Sequence, residues 1–413
     1  MPSGFYRRSW RTWLFLLFGL PLALLASQTG IVRAAEPPAV PTAALPEAQM
    51  DDEMLKQQLE VLPTDEVEAF WKKLQEEYGG FLPLVETPSL VEQLLPGGAG
   101  LNIQSVFHGL LAYFFHEVRQ NADLLGMIVV LTVFAMILGS IQSSFEHQTV
   151  GTVAYGIVFL TLMVLVINSF RLAMDLAGTT ISNMVNLMLA LIPLLLSLLL
   201  SLGNLVSANV FHPLILFMVH FIGNVIATFV LPLIFLAGVM NMVSSFTGRY
   251  QVSQLADLLN KLSLGALGVL TTLFLSVISL QGLTATVADG VTLRTAKFLA
   301  GNFVPVVGKL FADAADTVVA ASLLVKNAIG MAGVLILLFI CVFPAIKILI
   351  LSLIYSFAGA VMQPLGDSPV TTCLSLVGKS LVFMFAAMAM VALMFFLAIT
   401  VVIVAGNVTL MMR

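Results

Sequence analysis

Charged side chains are scarce in this chain. Only 10% of its 413 residues are Asp, Glu, Lys or Arg, whereas 59% are hydrophobic. A soluble globular chain carries roughly 25% charged residues, so the composition excludes an ordinary soluble domain and predicts a polytopic membrane protein. The chain has two cysteines, Cys341 and Cys373. So small and scattered a number excludes a disulfide framework and a cysteine-based metal site.

Patterns of catalytic or metal-ligating residues are also missing. His116 is followed by Glu117, but no second histidine comes four positions after the first, as a zinc-protease helix requires. The sequence CLSLVGKS at 373–380 nearly spells a phosphate-binding loop, but a cysteine replaces its first glycine and it leads into an apolar run. We therefore expect no enzyme activity, no cofactor and no metal site.

The first 34 residues have the pattern of a secretory signal peptide. A basic segment at 7–11 precedes the apolar run 13–26, and residues 32–34 supply compact side chains at a cleavage site. An uncleaved anchor is the competing interpretation for 1–34. In both cases the chain that follows is delivered across the membrane, so 35–123 is predicted to be extracytoplasmic.

Residues 35–100 are predicted to form a small, acidic, helical module with linkers. Thirteen of the 22 acidic residues lie between Glu36 and Glu92, which argues against binding of nucleic acid. Thr64 is a predicted N-cap with acidic residues after it, and Gly79 ends the same helix. The module is too small to hold a large core alone, so we expect it to pack on a partner or on the membrane domain.

Residues 101–123 are predicted to form an amphipathic helix in the membrane interface, in contact with lipid. Packing of its apolar stripe on protein is the alternative. The stripe consists of Ile103, Val106, Phe107, Leu110, Leu111, Phe114, Phe115 and Val118.

Residues 124–413 are predicted to form an all-α polytopic membrane domain with about seven or eight spans, each near 20 apolar residues. The run 328–362 contains Pro344 and Lys347, so it predicts one kinked helix or a tight hairpin. The candidate spans are 124–142, 150–170, 184–202, 208–230, 231–247, 263–282, 328–350 and 380–406.

A charged amphipathic segment, 283–327, interrupts the apolar runs. From Val307 onward apolar residues recur every three or four positions, while Lys309 and Asp313 fall on the opposite face. Because charge inside a bilayer is costly and usually functional, we expect this segment to act as a gate or a platform for partner proteins. The candidate residues are Asp289, Arg294, Lys297, Lys309, Asp313, Asp316 and Lys326.

Several segments resemble the stage III sporulation protein AE family. The most specific is DGVTLRTAKFLAGNFVPVVGK at 289–309, because general membrane composition would not reproduce it. The other matching segments are EEYGGFLP at 76–83, ALIPLLL at 190–196, FHPLILF at 211–217, ADTVVAASLLVKN at 315–327, FPAIK at 343–347 and QPLG at 363–366.

The resemblance implies a non-enzymatic, multi-pass subunit of a transenvelope channel or secretion-like complex required for endospore formation. It implies a place in the mother-cell membrane surrounding the forespore, in a hetero-oligomeric complex with other sporulation stage III A-operon proteins. Two alternatives remain at this point: a secondary transporter with a binding site near 289–326, and an intramembrane enzyme.

Overall fold

Every regular element in the described part of the chain is a helix. The computed structural model describes residues 62, 64–82, 90–95, 102–144, 149–246, 252–303, 307–365 and 368–411. It leaves out the side chains at 92–93, 141–144, 149–152, 205–207, 210–212, 246, 281–303, 307–318, 365, 405–406 and 408–411. A helix satisfies its own backbone hydrogen bonds, which an apolar environment requires of any segment that crosses it. The predicted all-α fold is confirmed.

The residues described before the membrane domain form three short helices: α1 (Asp65–Tyr78), α2 (Leu90–Leu94) and α3 (Ile103–Gln120). Helix α1 begins and ends where the acidic first turn and Gly79 predict, although the Thr64 side chain makes no capping hydrogen bond. In α3 the capping residue is Asn102, whose Oδ1 accepts a hydrogen bond from the Gln104 N–H at 3.0 Å. This bond satisfies one of the free N–H groups of the first turn.

Three helices of the membrane domain are much longer than a bilayer is thick. They contain 53, 51 and 56 residues, or about 75–85 Å, against a hydrocarbon core of about 30 Å. The helices are α4 (Ala122–Ser144), α5 (Thr149–Ser201), α6 (Leu205–Val225), α7 (Leu231–Phe246), α8 (Ser253–Phe303), α9 (Val307–Met362) and α10 (Pro369–Met411).

Six helical stretches of the described residues are long and apolar enough to cross a membrane. The predicted spans 150–170 and 184–202 are one of them, because α5 continues through the polar sequence between them. The polar residues Arg171 and Asp175 lie on its exposed face, whereas Phe170 and Ala173 on its other side remain fully buried. The helical period is thus unbroken, and polar composition alone does not end a helix.

The predicted spans 208–230 and 231–247 also form one rod. Helices α6 and α7 are joined by a π-helical turn, Ile226–Val230, in which the Leu231 N–H donates to the Ile226 carbonyl. Pro232 has no N–H to donate to the Thr228 carbonyl. A local π turn accommodates this loss without separating the two helices. Pro344 likewise lies inside the continuous α9, so the hairpin reading of 328–362 is wrong.

Helix α9 lies at the centre of the domain, where it packs on α10 and α5. Small residues bring α9 and α10 close together: the Ser352 Oγ donates to the Gly378 carbonyl at 2.8 Å. A Cβ on Gly378 would meet Ser356 Oγ and also the Ser352 carbonyl, 3.2 Å away. Close backbone approach through small residues is the usual basis of helix association in membranes.

We expect Gly378→Ala to destabilise the protein, because the new methyl group meets backbone atoms of α9 that cannot move freely. The expected loss is about 1–3 kcal/mol, read as a lower thermal unfolding midpoint in detergent. The matched control is Gly268→Ala in α8, where a Cβ meets nothing within 4 Å. It should be neutral or slightly stabilising, since alanine favours helix. Equal midpoints for both variants would contradict the packing of α9 on α10.

Candidate functional site

Two lysines lie at the two ends of an uncharged stretch of the central helix α9. Lys326 and Lys347 are separated by 20 residues without any charge, a length of about 30 Å. Each lysine is held by side chains or carbonyls from another element. Among the side chains of α9 that the structure describes, these two lysines are the charged ones, and each contacts another helix.

Lys326 connects α9 to the end of α10. Its side chain is fully buried, and its Nζ donates to the Ile403 carbonyl at 2.8 Å and to Asn407 Oδ1 at 3.1 Å. A buried ammonium group requires such acceptors, because burial without them is very costly. The contact fixes the relative position of the two helices.

The other six candidate residues belong to two different helices. Asp289, Arg294 and Lys297 lie in the last turns of α8, and Lys309, Asp313 and Asp316 lie in the first turns of α9. The segment 283–327 is therefore not a separate helix but the adjoining ends of two long ones. The structure describes the side chain of Lys326 alone among the seven, so the role of gate or platform stays a prediction.

Sequence reasoning missed a second cluster, which attaches the N-terminal helices to α9. We call it the clamp and define it as Trp71, Tyr78, Tyr113, Glu117, Phe339, Phe343 and Lys347. Its centre is Phe343, whose ring stacks on Tyr78 with centroids 4.2 Å apart and planes 6° apart. Tyr113 meets the same ring edge-on at 4.9 Å, and Trp71 lies 6.3 Å from Phe339. Such aromatic pairs add about 0.5–1.5 kcal/mol each beyond their burial.

An ion pair completes the clamp. Glu117 Oε1 lies 3.5 Å from Lys347 Nζ, and the Asn121 side-chain amide donates to the same oxygen at 3.1 Å. The glutamate side chain is 3% exposed and the lysine 36%, so the carboxylate depends on its partners more than the ammonium does. The pair holds the C-terminal end of α3 against α9.

The phenols of the clamp remain protonated. Burial, reinforced by the hydrogen bond to Glu77 Oε1 at 2.7 Å, raises the pKa of Tyr78 well above its usual range. Burial, with the nearby Glu117 carboxylate, raises the pKa of Tyr113 in the same direction. Both rings therefore act as neutral packing groups. The sequence signal for the clamp was available, because EEYGGFLP and FPAIK contain Tyr78, Phe343 and Lys347.

The described residues contain no group of three or more His, Cys, Asp or Glu side chains that could hold a metal ion. Fold and clamp together define a class: a polytopic helical membrane protein whose N-terminal helices are attached to its central membrane helix.

Comparison with known proteins gives the family. Residues 85–406 match the family model of stage III sporulation protein AE. Stage III sporulation protein AE of Bacillus subtilis (strain 168) is 48% identical over 366 residues, which are 89% of this chain and 92% of that relative. No solved structure matches. The chain belongs to the stage III sporulation protein AE family. Members of that family are sporulation proteins, and the family is not an enzyme family.

We expect Lys326→Ala to lower the free energy of unfolding by roughly 2–4 kcal/mol, because it leaves a cavity and an unpaired amide oxygen on Asn407. Lys326→Met fills most of the volume and should lose less. Lys379→Ala, at an exposed position of α10, is the control and should leave the thermal midpoint unchanged. If Lys326→Ala behaved like the control, the contact with Ile403 and Asn407 would not hold α9 to α10.

We expect Lys347→Met to loosen α3 more than Glu117→Gln does. The first change leaves a buried carboxylate without its cation, whereas the second removes the buried charge itself. Hydrogen exchange of the amides in 103–120 measures the effect, with the amides of 380–400 as internal reference. Faster exchange in Glu117→Gln than in Lys347→Met would count against this account of the clamp.

Proposed function

We propose that this chain is an integral membrane subunit of a transenvelope channel or secretion-like complex that endospore formation requires, linking mother cell and forespore. The observation that carries the proposal is family membership: the similarity to the Bacillus subtilis relative extends over 89% of the chain. The name of that relative places it at a stage of sporulation. Similarity over nearly the full length of both chains supports the same role here.

The clamp supports a role in which the N-terminal module and the membrane domain work as one unit. Helix α1 is strongly charged, yet Trp71 is buried and Tyr78 stacks on Phe343 of α9. A freely moving tether would need no such contact. A subunit that transmits position between an extracytoplasmic assembly and the membrane would require it.

The sequence predicts a signal peptide at 1–34. This prediction supports an N-terminal module outside the cytoplasm and, in this proposal, a chain that lies in the mother-cell membrane surrounding the forespore. The partners in this proposal are the other stage III A-operon proteins and membrane lipid. Helix α3 keeps part of its apolar stripe exposed: Ile103, Phe107, Leu111, Phe115 and Val118. This exposed stripe supports contact with lipid at the membrane interface, as the sequence predicts for 101–123.

Deletion of the gene in the bacterium that carries it tests the proposal. We expect loss of heat-resistant spores and of late forespore gene expression, with vegetative growth unchanged, and full recovery with the intact gene. The Gly268→Ala variant should restore sporulation as the intact gene does. A deletion strain that forms normal spores would exclude the proposed function.

Complex formation requires a separate measurement. A tagged chain, extracted in mild detergent at the time of engulfment, should co-purify with the other products of the operon. The same tag on an unrelated polytopic protein of that membrane is the control for non-specific association. Recovery of the tagged chain alone, from cells that sporulate normally, would contradict the hetero-oligomeric complex.

A further inference from the structure

One exposed face of helix α5 is polar along half of the helix. Between 173 and 199 each exposed side chain of α5 is polar or a proline, whereas the exposed side chains nearer its N-terminus include Val153, Ile157, Leu160 and Val164. The polar residues recur every three, four or seven positions, so they form one stripe along the helix. The stripe consists of Asn168, Arg171, Asp175, Thr179, Ser182, Asn186, Pro193, Ser197 and Ser201.

Helix α6 has an exposed stripe of the same kind. Its polar residues and one proline are spaced by four or seven positions, which keeps them on one side of the helix. Large aromatic residues are exposed on α6 as well, but they lie at other positions. The stripe consists of Asn209, Pro213, His220, Asn224 and Thr228.

A contact at Gly223 shows how the two helices pack. A Cβ built on Gly223 would meet the side chain of Val185 in α5. Val185 comes 16 residues before Ser201, the end of α5, and Gly223 comes 18 residues after Leu205, the start of α6. Since three residues connect the two ends, α5 and α6 pack side by side as an antiparallel pair.

The two stripes lie on the same side of this pair. Ser182 and Asn186 come three residues before and one residue after the contact residue of α5, and His220 and Asn224 have the same offsets from the contact residue of α6. These offsets turn the side chains about 60° and 100° away from the contact, in the same sense on both helices. In an antiparallel pair, equal rotations from the contact lead to the same side. We call the two stripes together the polar face.

Large apolar residues are exposed elsewhere at the same level of the bundle. The Cβ on Gly223 would also lie 4.0 Å from Phe395 of α10, whose ring lies 6.3 Å from that of Phe274 in α8. Phe221 and Leu273, within two residues of this level, are 44% and 53% exposed. Both belong to stretches long and apolar enough to cross a membrane. Lipid suits these two side chains, so the polar face requires a different neighbour.

The two prolines of the polar face add free backbone acceptors to it. Pro193 and Pro213 have no N–H, so the carbonyls of Leu189 and Asn209 lose their usual helical donor. The side chain of Asn186 likewise has no hydrogen-bond partner among the residues that the structure describes. Such groups are very costly in hydrocarbon, whereas water satisfies them.

The polar face is long enough to cross a bilayer. From Asp175 to Ser201 it extends over 26 residues, about 39 Å, against a hydrocarbon core of about 30 Å. Near one end the side chains of Arg171 and Asp175 are 74% and 66% exposed. A dry contact with another membrane helix depends on close apolar packing, and α5 exposes no large apolar side chain between 173 and 199. Water fits the full length of this face better than a dry contact does.

We propose that the polar face lines a water-filled path across the membrane for small hydrophilic solutes. The face offers hydroxyl, amide and imidazole groups and one pair of opposite charges, so it suits hydrogen-bonding solutes of either charge. Helices α5 and α6 form one wall of the path, and neighbouring subunits enclose the rest. The path rests on the proposed channel function and specifies which surface of the chain that channel uses.

Cysteine accessibility in membranes of sporulating cells, with the complex intact, tests the path. Ser182→Cys and Asn224→Cys place a thiol in the polar face, and Phe221→Cys and Leu273→Cys are matched controls at the same level. The probes are a cationic and an anionic methanethiosulfonate reagent, which react from water. The native cysteines are buried, so the parent chain measures background labelling.

Both reagents should modify the two polar-face thiols about tenfold faster than the controls, because the reactive thiolate forms in water and not in apolar surroundings. Each variant must accumulate as the parent chain does, and each pair has a second position in case one variant fails. Slow reaction at all four positions would indicate a face covered by protein, such as a second copy of this chain, and would overturn the path. Equally fast reaction at all four would place this level in bulk water and would also overturn it.

Spore formation provides the functional measurement. The double variant Ser182→Leu, Asn186→Leu makes the polar face apolar and should lose most heat-resistant spores, whereas Phe221→Leu should keep them. Normal sporulation of the double variant at normal protein level would contradict transport along this face. Loss of spores on deletion of the gene, combined with unreactive polar-face thiols, would leave the proposed channel function standing and exclude this path.

Discussion

The cost of an unsatisfied polar group in an apolar environment organises this protein. Backbone groups in an apolar environment must bond within their own segment, and α5, α8 and α9 meet this requirement as continuous helices of more than 50 residues each. The same cost explains the π turn at 226–230, where the chain adjusts its hydrogen bonds around Pro232 instead of breaking the rod. It also explains why the buried Lys326 ammonium has two oxygen acceptors.

The clamp shows how the same constraint acts between parts of the chain. From its charge alone, α1 would be expected to stay in water and not to pack against the apolar helix α9. It packs there because its apolar face presents flat aromatic rings to Phe339 and Phe343, while its charges face outward. Glu117, the one buried carboxylate among the described side chains, is neutralised by Lys347. Helices α1 and α3 are thus attached to α9 by burial of aromatic rings, and one ion pair fixes the end of α3.

Much of the fold was predictable because it depends on local rules. The acidic first turn and Gly79 set the limits of α1, and the three- and four-residue spacing of apolar residues predicts α3. Span number was harder. Arg171 and Asp175 interrupt an apolar run in the sequence, but they share the exposed face of α5 while Phe170 and Ala173 keep the core intact. The mean polarity of a sequence window does not show which face of a helix carries the polar residues. The presence of Pro344 in the sequence likewise does not show whether a helix ends there, and α9 continues through it.

Part of the candidate site was also predictable from the sequence, and part was not. Sequence alone identified Lys326 as one of the charged residues of the amphipathic segment 283–327, and the resemblance marked the segments that contain Tyr78 and Phe343. It could not show that these two rings stack, or that Lys326 meets Ile403, since the partners are separated by 265 and 77 residues respectively. By itself the sequence determined the membrane class, the helical fold and the family, because composition, periodicity and motifs are local properties. Only the tertiary structure decided which charges are paired and which helices touch, because burial and distance arise when distant segments pack together.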